Sequence, residues 1–90
     1  MKTNKFLAIP ETVLLDERVT GNDLVVYNAL LLFESYKEAS PSIATLCKVS
    51  RLSKNPVRNA LKHLEELGYI EIERGKGRTK SKFTIIREEE

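Results

Sequence analysis

Residues 41–67, PSIATLCKVSRLSKNPVRNALKHLEEL, read as two helices joined by a tight turn. In the second helix Val57, Ala60, Leu61, Leu64 and Leu67 recur at the 3, 4, 7 spacing of one buried stripe. Asn55, Arg58, Asn59 and Lys62 therefore point away from that stripe. An amide matches the edge of adenine, and a guanidinium matches guanine or a phosphate, so this face carries the chemistry for reading a polynucleotide. In the first helix, Ser42 is a suitable N-cap for a span from Ile43 to about Val49, with Ile43, Leu46 and Cys47 inward. Leu52 fills the turn, and Gly68 is the natural left-handed residue to end the second helix after Leu67.

Downstream, Tyr69 to Glu73 (YIEIE) and Lys82 to Ile85 (KFTI) alternate apolar and polar with the period of a strand. They flank the Gly-rich basic interval 75–81 and predict a hairpin with a long basic tip. Arg87 to Glu90 reads as a frayed end or the point where a longer protein continues. Upstream, Thr20 and Asp23 resemble a capping box with Asp in place of Glu, which starts a helix running to about Tyr36. Between Leu24 and Phe33 only Asn28 is polar, so this helix must be covered on more than one side. One cover is the helix pair. Another is the N-terminal FLAIPETVLL, in which Glu11 to Leu15 forms a turn of helix packing Val13 and Leu14 inward. A second copy of the chain, forming a homodimer through helix 24–33, is the competing cover.

Ninety residues make one domain spanning 1–90 with one modest core. A composition of 41% hydrophobic and 31% charged residues points neither to disorder nor to a membrane span. The longest apolar run is far shorter than the roughly 20 residues a bilayer requires. The run before Pro10 is too short for a signal peptide, so a cytoplasmic location is expected. Cys47 has no internal partner for a disulfide, which agrees with a reducing compartment.

The net charge of +2 conceals an asymmetry: residues 1–40 carry −2 and residues 41–90 carry +4. Lys48, Arg51, Lys54, Arg58 and Lys62 form one acid-free block; Arg74, Lys76, Arg78, Lys80 and Lys82 form another. Clusters of this kind are the footprint of polyanion binding, set against the plainer reading of a solvated face.

No catalytic constellation emerges, and neither a metal site nor a cofactor is expected. Cys47 reads as a buried structural thiol, and His63 as a surface helix residue with no carboxylate or second ligand spaced for metal or triad work. Glu65 and Glu66 read as a solvated face. Gly75-Lys76-Gly77 lacks the spacing of a phosphate-binding loop. Tyr27, Tyr36, Phe6, Phe33 and Phe83 fit core or rim rather than base stacking.

The succession of helix, helix, turn, helix, Gly68-Tyr69-Ile70 and basic hairpin resembles the winged helix-turn-helix family, mainly α with a small β-hairpin. The likeness covers residues 41–85 and is most specific in Ala60-Leu61-x-x-Leu64-Glu-x-Leu67-Gly68-Tyr69-Ile70. The lead-in, with Ile9-Pro10, Val13-Leu14 and Asp16-x-Arg18, is similar to N-terminal domains of phage, plasmid and primosomal (DnaD-like) replication proteins of Gram-positive bacteria. The resemblance implies DNA binding as a replication-initiation module or small transcription regulator, with a recognition helix at about 53–67 and a wing at about 74–82. It implies that Lys54, Asn55, Arg58 and Asn59 enter the major groove with Lys62 near its edge. Lys76, Arg78 and Lys80 would lie against phosphates or a minor groove, and Ser42, Thr45 and Ser53 would serve the DNA backbone. A docking module for replication or transcription proteins is the alternative that the same fold allows.

Two residues depart from the family pattern. Arg51 stands in the turn where glycine is common, at the cost of a left-handed conformation for a residue with a Cβ. Pro56 stands where relatives carry a small hydroxyl residue. It also leaves the helix start open. The family frame makes Ser53 the N-cap, with Asn55 helical just before a proline; local chemistry makes Asn55 the N-cap, with Pro56 first in the helix. Ser53 is the favoured reading, because an N–H missing from the first turn would have had no intrahelical partner.

Overall fold

The computed structural model describes residues 9–35, 41–74 and 81–86. Pro10 fixes φ at −56°, and its carbonyl accepts from the N–H groups of Val13 and Leu14, turning the chain into a short helix, α1 (Glu11–Leu14). Val13 is buried. Leu14, expected inward as well, is 54% exposed: one turn of helix separates adjacent side chains by about 100°, and only one of the two meets the core.

The expected capping box opens α2 (Gly21–Ser35). The Asp23 N–H donates to Thr20 Oγ1 at 3.1 Å, and the Thr20 N–H donates to Asp23 Oδ2 at 3.0 Å. Two donors that the helix itself cannot satisfy are thereby paired. The helix is described as far as Ser35, and Tyr36 lies outside the described residues. Its Val26, Tyr27, Ala29, Leu30 and Leu31 are buried, Leu24 and Phe33 are half-buried, and Val25 and Asn28 are exposed. Most of the circumference is thus covered from within the chain, as its composition demands. The cover comes from α3 (Ile43–Ser50), α4 (Lys54–Leu67) and strand β2 (Lys82–Ile85), with Ile9 and Val13 completing it.

The stripe predicted on α4 is the one buried: Val57, Ala60, Leu61 and Leu64 share a cluster with Leu46 of α3, while Leu67 is half-buried at its end. Leu46 and Leu64 are fully enclosed, and each contributes about 1.5–3 kcal/mol of transfer free energy. Cys47 and Ile43 pack at the margin of this cluster. Gly68, with φ at 87°, ends α4: its N–H donates to Glu65 O at 3.0 Å and that of Tyr69 to Leu64 O at 3.0 Å, the paired bonds of a Schellman motif.

Beyond that cap, strand β1 (Ile70–Glu73) pairs antiparallel with β2, Ile70 opposite Ile85 and Ile72 opposite Phe83. These four point to the core, while Glu71, Glu73, Lys82 and Thr84 face solvent. The order of elements and the two-stranded hairpin make this a mainly helical winged helix-turn-helix.

Candidate nucleic-acid interface

The turn between α3 and α4 places the basic block. Arg51 has φ at 65° and is the one non-glycine residue with positive φ among those described. Its N–H donates to Cys47 O at 2.9 Å. Buried Ser50 holds the corner, its hydroxyl donating to Cys47 O at 3.5 Å and accepting from the Leu52 N–H at 3.3 Å. The cost of a left-handed arginine, about 1 kcal/mol, is thus carried by a turn bonded on both sides.

Ser53 is the N-cap of α4, with φ −77° and ψ 176°, and Lys54 and Asn55 are helical. Pro56 therefore takes the third helical position, and the first intrahelical bond is donated by the Val57 N–H to Ser53 O at 3.2 Å. The ring displaces no bond, as expected. It has one further effect: the Ser53 hydroxyl makes no capping bond, because its usual partner is the N–H that Pro56 lacks.

On the solvent side of α4, Lys54, Asn55, Arg58, Asn59 and Lys62 are all exposed, as is Ser53. Lys54, Arg58 and Lys62 stand at i, i+4 and i+8 and form one ridge. Exposed Lys48 and Arg51 extend it into α3 and the turn. None of these five cations is ion-paired among the described residues. Ser42 and Thr45 occupy the start of α3, half-buried. The Thr45 N–H donates to Ser42 Oγ at 3.1 Å, and the two hydroxyls lie 3.0 Å apart. Lys76, Arg78 and Lys80 lie outside the described residues.

Three readings of individual residues are corrected. His63 is no plain surface residue: its Nδ1 lies 2.5 Å from Oδ2 of Asp23, which is 2% exposed, and the pair ties the middle of α4 to the start of α2. Arg74 is not a free wing cation, nor is Glu65 merely solvated. Arg74 donates through both terminal nitrogens to Glu65, at 3.1 and 3.2 Å, and fastens β1's end to α4. The pairing holds the Glu65 carboxyl below its ordinary range and the Arg74 guanidinium above its own.

A third tie passes through the lead-in. Asp16 accepts from the Arg18 side chain at 2.7 and 3.0 Å and from the Arg18 N–H at 2.9 Å. The Tyr69 hydroxyl also meets Asp16 Oδ2, at 2.5 Å. Hydrogen bonds from Arg18 first, and from Tyr69 next, hold the Asp16 carboxyl far below the usual carboxylate range. The same carboxylate pushes Tyr69 and Arg18 up. These ties bridge 40, 9 and 53 positions along the chain, and no local spacing signals such partners.

A family model described as a helix-turn-helix domain matches residues 18–70, more than half of the chain, and the chain belongs to that family. The matched span holds α2, α3, the Arg51 turn and α4. No curated protein and no solved structure matches the chain. Among the described residues, no helix is long and apolar enough to cross a membrane. Family membership supports DNA binding.

Proposed function

We propose that the protein binds double-stranded DNA in a sequence-specific, non-enzymatic way, with α4 in the major groove. The observation that carries this reading is where the cations sit. The first turn of α4 holds no acid and begins with Lys54, at the end of the helix where the dipole favours negative charge. Lys54, Arg58 and Lys62 repel one another at i, i+4 spacing, at a few tenths of a kcal/mol per pair. The first turns of such a helix are electrostatically unsatisfied alone, and a polyanion laid along them relieves both penalties.

In this reading Asn55 and Asn59 address adenine edges, Arg58 addresses guanine, and Lys54 and Lys62 meet phosphates at the groove margin. Ser42, Thr45 and Ser53 serve the backbone, as do Lys76, Arg78 and Lys80 of the wing. Ser53 suits that role because its hydroxyl is not engaged in capping. The biological setting is replication initiation or transcription control in the cytoplasm. The likeness of the lead-in to phage, plasmid and primosomal DnaD-like proteins favours replication, with residues 1–90 as the N-terminal domain of a longer protein.

The test is binding to a pool of duplexes followed by selection. Wild-type protein should enrich a motif, and the double variant Lys54→Ala, Arg58→Ala should bind at least tenfold more weakly. Unchanged affinity in that variant sinks the proposal.

A second reading, a protein-docking module or homodimer, is favoured by one observation: Leu14 and Leu15 are 54% and 68% exposed, and Val25 is exposed on α2. Sedimentation that finds only monomer at high concentration removes the homodimer.

A further inference from the structure

We infer that His63 is a proton-linked contact to the DNA backbone, its outer ring nitrogen donating to a phosphate once the duplex is docked. The inference rests on the DNA-binding reading above and adds to it a residue and a regulatory variable, pH.

The argument starts from the buried carboxylate. Asp23 Oδ2 accepts the Thr20 N–H and faces Nδ1 of His63 at 2.5 Å. An ionised carboxylate only accepts, so Nδ1 carries the hydrogen in both the neutral and the cationic ring. The proton that distinguishes the two forms therefore resides on Nε2, on the opposite edge of the ring from Asp23. The neutral ring presents a lone pair there, and the cationic ring presents an N–H.

The position of that edge supplies the second step. The His63 side chain is 35% exposed and lines an open notch of about 300 Å³ between α2 and α4. The rim includes Thr20, Asn22 and Asn59, all exposed and all able to donate. Asn59 belongs to the proposed reading face, and Lys62 adjoins His63 in the chain. A duplex lying along α4 thus brings phosphates toward a ring whose outer nitrogen donates only when protonated.

Charge then links the two events. With Asp23 behind the ring and a phosphate before it, two anions favour the cationic form, and the phosphate gains a charge-assisted hydrogen bond. From α2 the charged group facing the ring is Asp23, and the residues of α4 that line the notch with His63, namely Pro56, Asn59 and Ala60, carry no charge. The Thr20 and Asn22 side chains are uncharged. By reciprocity, if DNA favours the proton, the proton favours DNA.

Titration calorimetry of duplex binding in two buffers of different ionisation enthalpy, at fixed ionic strength, tests this. Affinity of the wild-type protein should rise as pH falls from about 8 to about 6, by at most about tenfold per pH unit for one proton, with matching proton uptake. His63→Asn places an amide donor where Nδ1 stood, so the bond to Asp23 survives while the outer nitrogen is gone. That variant should melt as a folded protein, bind DNA more weakly at pH 6, and lose both the pH dependence and the uptake. Duplex binding without pH dependence or proton uptake overturns the inference and leaves the DNA reading standing. Uptake that persists in His63→Asn assigns the proton to another group and overturns it too. Absence of duplex binding at every pH overturns both.

Discussion

The Tyr69 hydroxyl donates to Oδ2 of Asp16 at 2.5 Å, joining residues 53 positions apart. Tyr69 follows Gly68 directly, so this bond fixes the end of α4 and the root of the hairpin to the lead-in before α2. Thr12 O, 3.3 Å from the same hydroxyl, brings α1 into the arrangement.

A stability profile with pH follows from the Asp16 carboxylate, which hydrogen bonds from Arg18 first and Tyr69 next keep ionised. The folded-state pKa of Asp16 is depressed, so its contribution is fully present above the unfolded value of about 3.9 and is lost as pH falls below it. Thermal melts between about pH 6 and pH 2.5 should show wild type losing stability below about pH 4. Asp16→Asn should be less stable at pH 6 and flatter through the acid range, and Tyr69→Phe should lower Tm by on the order of 5 °C at pH 6. Parallel acid slopes in wild type and Asp16→Asn would contradict the assignment.

Arg51 separates stability from binding. Glycine adopts φ of 65° without a Cβ penalty, so Arg51→Gly should stabilise the fold by up to about 1 kcal/mol. The same change removes a cation from the ridge and should weaken DNA binding. Denaturant unfolding and duplex binding on the one variant check both halves. A loss of stability would mean that the side chain supports the turn.

Pro56 and Ser53 should be energetically coupled. With proline at the third helical position, Ser53→Ala removes no capping bond and should cost little in wild type. In a Pro56→Ala background the restored N–H can bond the serine, and the same Ser53→Ala change should then cost about 1 kcal/mol. A double-mutant cycle by urea denaturation measures the difference. Equal costs in both backgrounds would show that the proline does not silence the cap.

These residues also show what a sequence records. The α4 stripe, the Gly68 ending, the Thr20–Asp23 box and the strain at Arg51 are properties of a few consecutive residues, and each was legible. The outward face of α4 followed from the same stripe, so the exposed positions of Lys54, Asn55, Arg58, Asn59 and Lys62 were legible too. The inward reading of Leu14 failed because two neighbours on one helical turn compete for one core. The partners of His63, Arg74 and Tyr69 were not legible, because each is an acid brought close only by folding. Asp23 looked like a capping residue and nothing more, since the bond to its own Thr20 is local and the bond to His63 is not.

The most direct test of the DNA-binding account is the salt dependence of duplex affinity, measured by fluorescence anisotropy for wild type and for Lys62→Ala. If about six phosphates are neutralised, log K against log salt should slope near −5, and Lys62→Ala should make the slope shallower by about 1. A flat salt response, or a slope and affinity unmoved by Lys62→Ala, would contradict the claim that the cationic ridge of α4 lies on DNA.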